Sequence, residues 1–209
     1  MKVDAVILAK STMWGKFCVA GIDIPSGMWL RFTGYDDGEP IDDWQMHYIN
    51  APGSCQPLDF VSVRITKRYP HANHMEDIVI ERDGWLKLGH FTTEQVLQYH
   101  PEESYRYIFG NGGEYVTDVE MAELRFRYSL ILIRAEGLTL RVDQNHEGRL
   151  RSKASFIHNN RQYSNIRVTD PEYETYAGNI DTAYLVMSMP VKPLPANGRY
   201  YKLIAKILA

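Results

Sequence analysis

Apolar and polar residues alternate most regularly in the last third of the chain. The run from Leu150 to His158 meets Asn159-Asn160 and returns from Arg161 to Val168. A period of two marks half-buried strands. Adjacent asparagines can supply the two positive-φ positions of a tight turn. Residues 150–168 are therefore predicted to form a β-hairpin. Further strands are expected over residues 128–135, 138–143, 182–189 and 201–208, with Gly137 ending the first of them. Asp170-Pro171 places a capping side chain before a proline, which predicts a short helix through Tyr176.

The N-terminal half reads in the same way. Residues 3–9 are a compact apolar run suited to a buried strand, followed by a loop over 11–15. Residues 17–32 predict a hairpin whose turn, Pro25-Ser26-Gly27, has proline early and glycine where a positive φ is needed. Residues 58–67 alternate as a strand, and 78–80 form a short one. Thr92 opens a helix over 92–99 with a capping side chain. A second short helix is expected around 119–123. Asn111-Gly112-Gly113 is the best candidate boundary. Each half then holds about five strands and one short helix, the parts of an OB barrel. The fold class is mainly β: two tandem OB-like Greek-key barrels with a few short helices, over residues 1–112 and 113–209.

Composition adds little until charge is divided along the chain. The 209 residues are 44% hydrophobic and 23% charged, enough to bury a core. No run of about 18 apolar residues offers a membrane span, and Asp4 interrupts the short apolar N-terminus that a signal peptide would need. Cys18 and Cys55 form no metal-binding or disulfide pattern. These features predict a cytoplasmic protein. Residues 1–114 hold 10 Lys/Arg against 16 Asp/Glu, and residues 115–209 hold 13 against 10. A polyanion should prefer the second half.

The candidate chemistry follows that charge. Arg149, Arg151 and Lys153 stand at spacing two, so on a strand they share one face. Arg161 and Arg167 lie on the paired strand, and Tyr163 shares their parity. Phe156 has the opposite parity to Arg151 and Lys153 and should point to the core. The arrangement suggests a groove that tracks phosphates, with Tyr163 as a stacking ring. Arg125 and Arg127, flanking Phe126, would extend the patch.

Lys10-Ser11 follows a buried strand but lacks the spacing of a phosphate-binding P-loop. Lys10, Ser11 and Arg31 are the candidate contacts for a smaller anion. The acidic stretch 36–43 lacks calcium-loop spacing and reads as a solvated loop. His71, His74 and Glu76 lack a clear fourth ligand nearby, so no metal and no cofactor are expected. No Gly-x-Ser-x-Gly elbow is present, and no spacing assembles a nucleophile, base and oxyanion site. The chain reads as non-enzymatic.

Several stretches together resemble the bacterial family of dual-OB domain proteins. They are Ile7-Leu8-Ala9-Lys10-Ser11, Cys18-Val19-Ala20-Gly21-Ile22-Asp23 and Trp29-Leu30-Arg31, then Pro70-His71-Ala72-Asn73-His74-Met75-Glu76-Asp77 and Leu124-Arg125-Phe126-Arg127-Tyr128-Ser129-Leu130. Ala154-Ser155-Phe156, Tyr163, Thr169-Asp170-Pro171 and Tyr201-Lys202-Leu203-Ile204-Ala205 complete the order. The resemblance implies two tandem OB-like barrels and a nucleic-acid or nucleotide ligand, and it brings no catalytic residues. The family's Arg-Pro is here Arg31-Phe32, its Glu-Asn is Glu76-Asp77, and its short Leu-Gly segment is the longer stretch from Pro190 to Asn197. The expectation is a nucleic-acid-binding protein, single-stranded DNA or RNA being favoured. The alternatives are a sensor or sponge for a small anionic nucleotide and an adaptor with a protein partner.

Overall fold

The computed structural model describes residues 1–13, 15–34, 38–70, 73–123, 128–144 and 148–209. The chain divides into two compact units, Met1–Pro101 and Glu102–Ala209. The first unit holds β1 (Lys2–Met13), β2 (Lys16–Asp23), β3 (Trp29–Thr33), β4 (Asp59–Arg68), β5 (Asp77–Ile80), β6 (Leu86–His90) and α1 (Thr93–Tyr99). The second holds β7 (Tyr115–Thr117), α2 (Asp118–Glu123), β8 (Leu130–Gln144), β9 (Leu150–His158), β10 (Arg161–Val168), β11 (Gly178–Ser188), β12 (Arg199–Tyr201) and β13 (Leu203–Leu208).

Both units use the same strand order. In the first, β1 pairs with β2, β2 with β3, β3 with β5, β5 with β4, and β4 returns to β1. Only β3–β5 in that ring is parallel. In the second, β8, β9, β10, β13 and β11 close a barrel in the corresponding order, and only β10–β13 is parallel. This is the five-stranded Greek-key barrel of the OB fold, built twice. Each ring encloses its own core. Ile7, Val19, Leu30, Phe32, Val61, Val63 and Trp85 fill the first. Ile131, Ile133, Phe156, Tyr163, Ile166, Leu185 and Ile204 fill the second. Burial of each such side chain contributes about 1.5–3 kcal/mol.

Most predicted elements form. Gly27 takes φ +66° in the β2–β3 turn, and Asn159 and Asn160 take +48° and +57° between β9 and β10. Thr92 and Gln95 make a capping box at α1. Strand β6 was not expected from the sequence. It docks on β4, where the buried Asp59 accepts hydrogen bonds from Tyr48 and from Lys87 Nζ at 2.7 Å, and meets His90 Nδ1 at 3.1 Å. Burial pushes the Asp59 carboxyl up, but those hydrogen bonds outweigh it and hold the group below its ordinary range.

Four expectations are corrected. Residues 11–13 are not loop: β1 runs through Met13 and pairs there with β2. Gly137 does not end a strand: β8 runs through it, and its φ of +58° sits at a bulge where the register with β9 shifts between Glu136 and Thr139. Asp170-Pro171 starts turns rather than a helix. The Asp170 carboxylate is taken by β13, accepting from Ile207 N–H at 2.9 Å with Lys206 Nζ 3.3 Å away. Finally, the units part at 101/102, not at 112/113. Residues 102–112 belong with the second barrel because Ile108 and Phe109 enter its core. Phe109 accepts φ +48° there, a conformation that costs a non-glycine residue about 1–2 kcal/mol.

Lys202, between β12 and β13, is 1% exposed. Its Nζ donates to the Asn111 carbonyl and to Asn111 Oδ1, at 2.6 and 2.8 Å. Burial pulls its pKa from 10.5 down to about 7, against the opposing pull of Glu120. The unfolded chain therefore holds a proton that the folded chain gives up between those two values. Stability should rise with pH across that window, by at most about 1.4 kcal/mol per pH unit. Denaturant midpoints measured across this range should climb for the native sequence, and Lys202→Met should flatten the climb.

Candidate nucleic-acid interface

The outer face of β8, β9 and β10 gathers the cations. On β9, Ser152, Ala154 and Phe156 are buried, so Arg151 and Lys153 project outward on the alternate positions. Lys153 lies opposite Arg141 on β8 and opposite Arg167 on β10. Arg141, Lys153 and Arg167 thus form one row across three strands. Arg151 occupies the next row, opposite Asp143.

Two carboxylates enter this face. Asp143 Oδ2 is 3.2 Å from Lys153 Nζ and 3.6 Å from Arg141 Nε. Glu174 Oε1 is 2.9 Å from Arg151 Nη1. Glu174 arrives there because its turn docks on β9: Ser152 N–H donates to the Glu174 carbonyl and Ser152 Oγ to that of Tyr176, both at 2.8 Å. Burial lowers the pKa of Arg167, as does repulsion from Arg151, while Glu174 counteracts both. Around the Arg141–Lys153–Arg167 row the described residues place four cations, with Arg151, against the carboxylates of Asp143 and Glu174, an excess of positive charge.

The face differs from the sequence expectation in its ring. Tyr163 is 0% exposed and stacks on Phe156 inside the barrel, centroids 5.5 Å apart. Its hydroxyl accepts from Ile108 N–H at 3.1 Å. It is a core residue and offers no surface to a base. Arg161 does not share a face with Arg167. The register with β9 shifts between Tyr163 and Ile166, and Asn165 takes φ +62°. This bulge reverses parity, so Arg161 follows Tyr163 while Arg167 turns outward. Phe156 points to the core as expected, 1% exposed. Arg149 is exposed just before β9. Arg125 and Arg127 lie outside the described residues. Arg141 was missed because nothing local to it announces its partners. Asn165 Oδ1 accepts from its guanidinium.

The comparison with known families fits this doubled topology. The profile of the family described as a dual OB-containing domain matches residues 3–207. The chain belongs to that family. None of the curated proteins and none of the solved structures compared with it matches.

In this dual OB-containing domain protein the first barrel treats its cations differently. Lys10 pairs with Val19 and points inward, whereas Ser11 pairs with Cys18 on the outer face. Lys10 Nζ lies 3.3 Å from Asp43 Oδ1, 3.1 Å from Ser54 Oγ and 4.6 Å from the Phe17 ring centroid. Arg31 is buried, 3.4 Å from both Glu76 Oε1 and Asp77 Oδ1, and His74 Nδ1 is 3.6 Å from the same Asp77 atom. Burial raises the pKa of the nearby Cys18 thiol, Arg31 lowers it and Asp77 raises it further, leaving the thiol protonated. Lys10, Ser11 and Arg31 are therefore not gathered into one anion site. His71 lies outside the described residues. Among those described, no group of three His, Cys, Asp or Glu side chains is placed to hold a metal ion, and no helix is long and apolar enough to cross a membrane.

Removing Arg31 would leave Glu76 and Asp77 buried without their cation. Arg31→Ala should destabilise the first unit by about 3–5 kcal/mol, as loss of one partner from a buried ion pair does. Thermal unfolding would register this as an early transition. An unshifted transition would remove the structural role.

Proposed function

We propose that this dual OB-containing domain protein binds nucleic acid on the outer face of β8, β9 and β10 in its second unit. The observation that carries the reading is the row Arg141–Lys153–Arg167, three cations in register across adjacent strands. The second and third strands of an OB barrel are where oligonucleotides are held in that fold, and β9 and β10 occupy those positions here. The ion pairs on the face involve side chains that keep a quarter or more of their surface. The exposed pairs of Asp143 with Arg141 and Lys153 are worth about 0–1 kcal/mol, so a phosphate can replace that carboxylate at small cost. Arg and Lys contacts to the backbone position a strand without reading its sequence. No reaction is assigned to the site; its chemistry is binding. We place the protein in a reducing cytoplasm, where the thiols of Cys18 and Cys55 stay reduced.

A small-nucleotide site on Lys10, Ser11 and Arg31 has weaker support, because Lys10 and Arg31 already face Asp43, Glu76 and Asp77. The test is fluorescence anisotropy with a labelled single-stranded oligonucleotide of about 12 residues, within the footprint of OB folds, across a salt series. The double variant Lys153→Glu, Arg167→Glu should bind at least about tenfold more weakly. The slope of log affinity against log salt should shrink by about 1.4, near 0.7 per lost phosphate contact. Unchanged affinity and slope would remove this face from the account.

A further inference from the structure

Burial of Tyr163 removes the ring expected on the cationic face, but a parallel pair of rings lies at the other end of β10. Residues 102–111 cross the barrel beside the β9–β10 turn. Asn159 Nδ2 donates to the Tyr105 carbonyl at 3.0 Å, and Ile108 N–H binds Tyr163 as described. The rings of Tyr105 and Tyr128 lie nearly parallel, centroids 5.1 Å apart and planes 16° off. Tyr128 leans in turn on Phe109 of the core, at 5.7 Å. The outer ring, Tyr105, keeps 36% of its surface. Beside it, the guanidinium of Arg161 lies 4.4 Å from the Tyr107 ring centroid and that of Arg106 lies 5.3 Å from it.

We infer that Tyr105, Tyr107 and Tyr128, with Arg106 and Arg161, form a shelf that takes one unpaired nucleobase and its phosphate. The inference rests on the nucleic-acid reading above and names the class of strand: one whose bases are unpaired. Closing the barrel end accounts for Phe109 and the inner ring. It does not account for a second ring laid parallel on the outside with much of its surface in water. Nor does it account for the cations. On the β8–β10 face Arg141, Arg151 and Lys153 are each held by a carboxylate. Among the described residues Arg106 and Arg161 make no ion pair; their ring partner is Tyr107.

Two acids of this unit have partners of their own. Glu103 Oε2 accepts from Leu132 N–H, and Glu136 lies 3.6 Å from Arg134. Arg106 and Arg161, without an ion pair among the described residues, can meet a phosphate beside a flat ring whose face suits any base. Arg161 and Arg167 lie six positions apart on β10, about 20 Å along a strand, which a single strand several nucleotides long can span. A duplex would keep its bases stacked on one another and away from Tyr105.

The test compares three ligands on the full chain: an oligothymidylate of about 12 residues, an abasic sugar-phosphate oligomer of the same length, and free thymidine monophosphate. The native protein should prefer the base-bearing oligomer by about 5- to 160-fold, the range one stacked base commands. Tyr105→Leu keeps apolar bulk over Tyr128 but removes the flat ring. It should abolish most of that preference while leaving abasic binding unchanged, and Arg161→Gln should weaken both oligomers. If the native protein binds both oligomers equally, and both fall with Lys153→Glu, Arg167→Glu, the shelf is overturned and the cationic face stands. If neither oligomer binds, both readings fall. If thymidine monophosphate binds as tightly as the oligomer, a small nucleotide occupies the shelf and the strand reading is overturned. The ligand comparison on the native protein decides even if Tyr105→Leu does not fold.

Discussion

One added residue in β10 arranges the second barrel. Between the Tyr163–Phe156 and Ile166–Ala154 pairs, β10 advances three residues while β9 advances two. Asn165, at φ +62°, absorbs the excess. Without this bulge, residues 161, 163, 165 and 167 would share one side, and Ile166 and Val168 would face water. With it, Tyr163, Ile166 and Val168 all reach the core, and Arg167 joins Lys153 and Arg141 outside. Asn165 also accepts a hydrogen bond from Arg141, which ties the bulge to the row of cations it creates. The same irregularity that completes the core thus sets the charge pattern of the surface.

The two barrels share a topology but treat charge in opposite ways. On β3 of the first unit, Arg31 is buried against Glu76, Asp77 and their neighbour His74. Such a cluster is costly to break and slow to exchange, since every partner would be left desolvated. On β9 of the second unit the paired cations and their carboxylates keep about a quarter to two-fifths of their surface in water. Those pairs can be traded for other anions. The division of charge along the chain, acidic before residue 115 and basic after it, has the same sense. Fold alone does not distinguish the barrels; the environment of each cation does.

Features carried by neighbouring residues were legible in the sequence. The alternation in 150–158 placed Phe156 inside and Arg151 and Lys153 outside, and Asn159-Asn160 formed the turn. Thr92 and Gln95 capped their helix from four adjacent residues. The count of strands in each half was enough for an OB barrel, because closing such a ring needs five segments of the right period. Strand β6 escaped notice: its residues show no clear alternation, and it is held by Asp59 and Asn50 from elsewhere in the chain.

The sequence by itself determined most of the strands and the tight turns, since each rests on contacts within a few residues, and the count of strands in each half implied the doubled architecture. Tertiary structure decided which side of β10 faces water, that β8 continues through Gly137, and that residues 102–112 close the second barrel. It also decided that Asp143 and Glu174 share the cationic face, and that Tyr163 is buried while Tyr105 keeps an exposed ring. A period of two survives only until the first bulge. Beyond that point a side chain's direction depends on the strand it must pair with, and the pairing is settled by residues far away along the chain.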